Sequence, residues 1–385
     1  MFTYSDHHYL YITNSHYRIM SFEPIAKIGS EKYGKNGLFS SSSFKGTVFS
    51  ASDKKLLKLA ANHSLSSKTW SAYRTVENML ELCGSQTNVD LTLPMTENKT
   101  LVFVAWLMKR GLKSRSINSY LSGLRMLHLT KGVKQGAVRS DLIKQVLEGR
   151  LHIDSMNSRL HETPRRMPVT PTLLKLLKLE LKESDLTRET KRLLWAVSTL
   201  AFSGGFRVGE LLARVESTYD PLYTLLGQDI KVITLKIGQA NVETIQVNIK
   251  SQKTDRVGVN CLIDVYESGG IICPVKAYNK WKDTATTRDS RKPAFRLDNG
   301  KPLTTSKFNK YLKSLLGGHI DYNKSKITGH SFRAGIASLL GNLGYSDSDI
   351  QAVGRWSSQA FQAYLKLPRT RRIEMAEKIG KLNIQ

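Results

Sequence analysis

Carboxylates are scarce in this 385-residue chain: 32 Asp and Glu stand against 58 Lys and Arg, a formal net charge of +26. Such an excess does not determine a fold, but it calls for a polyanionic partner. The basic residues are spread through folded-looking segments rather than gathered in a tail. That favours a protein wrapped around nucleic acid over one with a basic arm. Long apolar runs are also missing. No stretch approaches the about 18 consecutive apolar residues of a spanning helix, which disfavours a membrane surface as the polyanion. The N-terminus, MFTYSDHHYLYITNSHYRIM, lacks a basic region followed by an apolar one and does not read as a secretory signal. Cysteine is limited to Cys83, Cys261 and Cys273, far apart and odd in number. This argues against a disulfide framework or a four-ligand zinc site and fits a reducing intracellular compartment. No internal repeat is present, and nothing in the sequence calls for a metal or cofactor.

What is there suffices for real cores. Hydrophobic residues make up 40% of the chain, and its length points to two domains. Residues 1–50 are rich in Tyr, His, Ser and Gly without periodicity and read as an arm; His7, His8 and His16 there fit a mobile terminus better than a metal site. Residues 51–152 read as a helical domain, essentially a four-helix unit. Its first helix carries Trp70, Tyr73, Val76 and Leu80 and is expected to stop at Gly84. The second is capped by Thr96 and closed by Gly111, the third runs through Ile117, Leu121 and Leu124, and Ser140 opens the fourth. Lys109, Arg110, Lys113, Arg115 and Arg125 lie on its exposed faces, where the one-signed excess points to phosphate contacts. His128 reads as a packed core residue.

Residues 153–168 have linker composition, with Arg165 and Arg166 placed to follow a duplex backbone. A second, mixed α/β domain, 169–385, begins at Thr170-Pro171, a cap followed by proline at the first helical position. Period-two alternation over 231–266 predicts a small antiparallel sheet. Its turn SQKTDRVG holds Lys253 at a hairpin tip, with Lys250 as the competing candidate. Residues 370–382 form a last amphipathic helix whose apolar positions need a surface, in its own domain or on a neighbouring subunit.

The chemistry gathers in three places. SGGFRVGELLA breaks one helix with two glycines and starts the next with Arg207 and Glu210, one turn apart. GHSFRAG sets His330 and Arg333 one helical turn apart, so both lean toward one face. GRWSS follows, with Gly354 permitting a turn, Trp356 at the corner and Ser357 as the N-cap of a short helix that carries Tyr364. A tyrosine supplies an oxygen nucleophile, arginines grip phosphate oxygens, a histidine moves protons near neutral pH, and an indole N–H donates to an oxyanion. Together these residue types suit attack on a phosphodiester.

In order, Arg207 with Glu210, Lys253, His330-x-x-Arg333, Trp356 and Tyr364 resemble the tyrosine recombinase (phage-integrase-type) family over roughly 170–370, and the helical unit is similar to that family's core-binding domain. The wording SGGFRVGEL, GHSFRAG and GRWSS is most similar to recombinases of eukaryotic DIRS, Ngaro and Crypton elements. Tryptophan stands where many relatives have histidine, and the gap to the tyrosine is one residue shorter than in many bacterial members.

The resemblance implies a mainly α fold with a small sheet, a two-domain C-shaped clamp on DNA, and metal- and ATP-independent strand transfer. It implies Tyr364 as nucleophile, Arg207, Arg333, Trp356 and His330 around the phosphate, Lys253 as general acid and Glu210 behind them. It further implies a homo-oligomer, dimeric on a site and tetrameric in synapsis, acting in the nucleus. Two other readings share these residues: a type IB topoisomerase, and a DNA-binding protein that kept the fold and lost the chemistry.

Overall fold

A computed structural model of the protein describes residues 39, 43, 50–65, 67–133, 138–160, 165–221, 223–250, 261–285, 289–320, 325–356 and 358–365. The chain divides between His161 and Glu162 into two compact units.

Unit 1 holds five helices among the described residues: α1 (Ala51–His63), α2 (Ser67–Thr87), α3 (Glu97–Lys109), α4 (Ser114–Thr130) and α5 (Asp141–Leu160). Helix α1 is an addition to the four read from the sequence. Ser50 and Asp53 close it with a reciprocal capping box, each side chain accepting the other's backbone N–H at 3.1 Å. Phe39, from the segment read as an arm, packs edge-on against Trp70 with ring centroids 5.9 Å apart. Its backbone N–H donates to Asn62 Oδ1 at 3.0 Å. Helix α2 runs through Gly84 to Thr87 rather than stopping there. A Cβ at Gly84 would lie 3.1 Å from the Val89 carbonyl oxygen, so close packing accounts for this glycine. Helix α5 likewise continues to Leu160, through residues whose composition reads as linker. The core of unit 1 forms around Phe103, Leu107, Ile117, Leu121 and Leu124. His128 is fully buried there as expected: Nε2 accepts the Met95 N–H at 3.0 Å and Nδ1 pairs with the Leu124 carbonyl at 2.9 Å.

Unit 2 starts with strand β1 (Arg165–Arg166), which pairs in parallel with β5 (Ser325–Lys326). The two arginines assigned to a linker therefore belong to a short sheet of this unit. Helix α6 (Pro171–Glu183) follows the Thr170 cap. Helix α7 (Arg188–Ser203) is buried along almost its whole length, and α8 is the single turn Val208–Leu211. Strands β2 (Ile230–Ile237), β3 (Ala240–Ile249) and β4 (Cys261–Tyr266) form one antiparallel sheet in that order. Ile245, Val247 and Ile249 alternate into the core with Val265, as the period-two pattern requires. Helices α9 (Pro274–Lys282), α10 (Thr305–Leu316), α11 (Gly329–Leu343) and α12 (Asp347–Gly354) complete the unit. A 3₁₀ helix, Gln359–Tyr364, follows and starts at Ser358. Lys253, Ser357 and the 370–382 segment lie outside the described residues.

Candidate active site

The turn after α7 is the platform of the site. Gly205 adopts φ +57, a left-handed conformation that glycine takes without steric cost, and a Cβ there would sit 3.0 Å from the Val353 carbonyl oxygen. The turn delivers Arg207 to the start of α8. Glu210, one turn on, accepts the Arg207 backbone N–H at 2.9 Å and its Nη1 at 2.7 Å. The Arg207 side chain is 19% exposed and that of Glu210 only 6%. This is more than a surface i,i+3 pair, because the carboxylate is withdrawn from water and held at two points.

Arg333 projects from α11 to the same turn and is 3% exposed. Its Nη1 donates to the Gly205 carbonyl at 3.1 Å and its Nη2 to the Arg355 carbonyl at 3.4 Å. Its guanidinium lies over the Trp356 ring, 4.5 Å from the centroid, where the ring quadrupole favours a cation. Burial lowers its pKa to about 10, assisted by the positive charge of Arg207 and opposed by Glu210. His330, exposed in the otherwise buried first turn of α11, stands one turn from the buried Arg333.

At the next corner the left-handed residue is Arg355, with φ 53 and ψ 46, rather than Gly354. Gly354 serves a different need: the Trp356 ring folds over it so closely that a Cβ would come within 1.5 Å of the ring. Trp356 packs against Phe361 and Tyr364, with centroids 5.7 and 6.4 Å away. Tyr364 is half-buried and its backbone carbonyl accepts the Ser338 hydroxyl at 2.8 Å.

Arg207 and Glu210 thus connect to Arg333, Trp356 and Tyr364 in one chain of contacts, with Arg355 as the link between Glu210 and Arg333. Sequence reasoning passed over Arg355. Its Nη1 donates to the Gly204 carbonyl at 2.9 Å, and its Nη2 lies 3.3 Å from Glu210 Oε2. Lys250, the alternative to Lys253, is held between the buried Asp229 carboxylate at 2.7 Å and the Pro221 carbonyl at 3.1 Å. Among the described residues, no group of three or more His, Cys, Asp or Glu side chains could hold a metal ion.

The five basic residues singled out in unit 1 are all exposed: Lys109, Arg110, Lys113 and Arg115 around the α3–α4 turn, and Arg125 further along α4. Arg110 lies over the Trp106 ring at 4.7 Å.

No protein-family model and no curated relative matches the sequence. Solved structures do. The chain is similar to the XerH site-specific recombinase bound to palindromic difH substrate in a post-cleavage complex, at 12% identity over 86% of this chain and 85% of that one, with a TM-score of 0.53. It is similar to the Tn1549 transposon integrase in complex with transposon right-end DNA, at 12% identity over 84% of this chain and 98% of that one, with a TM-score of 0.51. The fold is that of the tyrosine recombinases. In this recombinase fold, a mainly helical chain with one three-stranded antiparallel sheet, Arg207, Glu210, Arg333, Trp356 and Tyr364 converge on the α7–α8 turn and the α12 corner.

Proposed function

We propose that the chain is a site-specific DNA recombinase or integrase that cuts and rejoins strands through a 3′-phosphotyrosyl intermediate. The observation that carries this reading is the uneven charge of the site. Arg207 and Arg355 share a single carboxylate, Glu210, and the buried Arg333, bound to the Gly205 and Arg355 carbonyls, rests on the Trp356 ring against which Tyr364 packs. Such a cluster favours an anion, and preorganised cations and donors are what a phosphodiester transition state needs.

In the proposed reaction the Tyr364 oxygen attacks the scissile phosphorus and gives its proton to His330. The P–O5′ bond breaks, and Lys253 protonates the departing 5′ oxygen. Arg207, the more exposed guanidinium, meets the non-bridging oxygens first. Arg333 contributes its field and its remaining donors from below, and the indole N–H of Trp356 adds another. Glu210 keeps Arg207 in place. Attack of a 5′ hydroxyl on the phosphotyrosine reverses each step, so rejoining needs neither a metal nor ATP. Lys250 already serves a buried carboxylate, which favours Lys253 as the acid. Nucleophile and arginines lie together on one chain, which favours donation of the tyrosine within a protomer.

The wording of the three motifs, with the fold shared by a transposon integrase, supports a mobile-element recombinase of the DIRS, Ngaro or Crypton kind, acting on nuclear DNA as a dimer on each site and a tetramer in synapsis. The 370–382 segment is the proposed contact with a neighbouring copy.

The purified protein should form a covalent adduct on nicked DNA carrying its element's terminal sequences, and Tyr364→Phe should form none. An adduct that survives Tyr364→Phe refutes the assignment. Supercoil relaxation without recombinant product would favour the topoisomerase reading, and sequence-specific binding by a wild type that never cleaves would favour a catalytically silent protein.

A further inference from the structure

Arg355 takes no part in the proton and phosphoryl transfers above, yet its side chain ties the α12 corner to the α7–α8 turn and to Glu210. It occupies the corner after α12 in a left-handed backbone conformation, φ 53 and ψ 46, which a glycine would adopt without strain. A non-glycine residue persists in such a conformation where its surroundings over-determine it, and here they do. Nη1 donates to the Gly204 carbonyl at 2.9 Å and the Val353 carbonyl at 3.3 Å. Nη2 donates to the Gly205 carbonyl at 3.4 Å and Glu210 Oε2 at 3.3 Å. The guanidinium lies 4.9 Å from the centroid of the Phe206 ring, and the residue's own carbonyl accepts Arg333 Nη2 at 3.4 Å. The side chain is 14% exposed, so these contacts are shielded from water.

The arrangement divides the Glu210 carboxylate. Oε1 takes the Arg207 guanidinium and Oε2 faces Arg355 while accepting the Arg207 backbone N–H. Without Arg355 the carboxylate is free to take Arg207 in a two-pronged grip and turn its guanidinium away from an incoming phosphate. The same loss unties the α12 corner, and with it the ring on which Arg333 rests.

We infer that Arg355 is a positioning residue for strand cleavage: its fork locks the α12 corner to the α7–α8 turn and shares Glu210, so that Arg207 and Arg333 are set for one phosphate. The inference rests on the proposed function and adds a residue to it.

The test compares wild type, Arg355→Gly and Arg355→Lys by single-turnover cleavage of nicked DNA, DNA affinity and thermal midpoint. Glycine suits the backbone of this corner, so Arg355→Gly should fold and bind DNA as the wild type does while cleaving roughly a hundredfold more slowly, the scale of a small misplacement of reacting groups. Millimolar guanidinium should recover part of that rate by entering the space between Glu210 and the two glycine carbonyls, and equal sodium chloride should not. Arg355→Lys, which keeps the charge but lacks the planar fork, should stay slow. Wild-type cleavage rates in Arg355→Gly overturn the inference. So does a loss of DNA affinity that matches the loss of rate, which would make Arg355 a DNA contact, or a fall in midpoint without guanidinium rescue, which would make it structural only. A wild type that forms no adduct sinks the proposed function instead.

Discussion

A guanidinium taken out of water must recover its hydrogen bonds from the protein. Arg333 recovers part of them from two backbone carbonyls and an indole face, its buried Nε finds no partner among the described residues, and burial lowers its pKa to about 10. The indole stays in place because residue 354 has no side chain. Gly354→Ala would force a methyl into the Trp356 ring. Overpacking of this kind should cost roughly 1–3 kcal/mol, and it should slow cleavage by moving the ring that carries Arg333. Chemical denaturation and single-turnover cleavage of the variant measure both effects, and unchanged values in both would show that the ring has room to shift. At this scale the sequence was informative about residue types. Arg207, Glu210, Arg333, Trp356 and Tyr364 were legible because their order and chemistry are unusual together. Arg355 was not, because a left-handed arginine is held by contacts with residues some 150 positions away, and local reading assigns the turn to the adjacent glycine.

Among elements, those with strong local signals were readable: the Thr-Pro start of α6, the three alternating strands and the Thr96 cap. Helix α1 escaped because Ser- and Tyr-rich text obscured its capping box. The true end of α2 escaped because tertiary packing overrides the about 1 kcal/mol that glycine costs a helix. The extension of α5 escaped because its last turns expose Ile153 and Met156 beside polar residues and bury no regular stripe.

Helix α9 carries a prediction of its own. Tyr278 is 6% exposed between Trp281 and Phe295, and burial pushes its phenol up to about 12. The unfolded chain ionises this phenol near pH 10, the folded chain near 12, so the fold binds the proton more tightly. The resulting stability is fully present below pH 10 and is lost as pH rises toward 12, by up to roughly 2–3 kcal/mol. Tyr278→Phe should flatten that part of the profile in denaturant titrations from pH 9 to 12. A variant whose alkaline loss matches the wild type would place the titration elsewhere.

Over the whole molecule, two cores with no residue in common serve one excess of positive charge. If unit 1 grips phosphates through Lys109, Arg110, Lys113, Arg115 and Arg125, each alanine substitution should weaken DNA binding evenly across sequences. Each should also reduce the slope of log K against log salt by roughly 0.9. Affinity measured across a salt series checks this, and an unchanged slope in the fivefold variant would remove the interface from this face.

The tyrosine is attached differently from the arginines. Phe361, beside it, belongs with Ala337 and Ile350 to a small satellite cluster, whereas Arg207 is flanked by Phe206 and Val208 of the main core. The 3₁₀ helix is therefore expected to open locally before the main core of unit 2 does. Its amide hydrogens should exchange with solvent through that local opening, long before those of α7, and equal protection of the two would show that they open together. If Tyr364 is the nucleophile, so light a tether would let it be withheld from DNA until a site is assembled, without unfolding the arginine cluster.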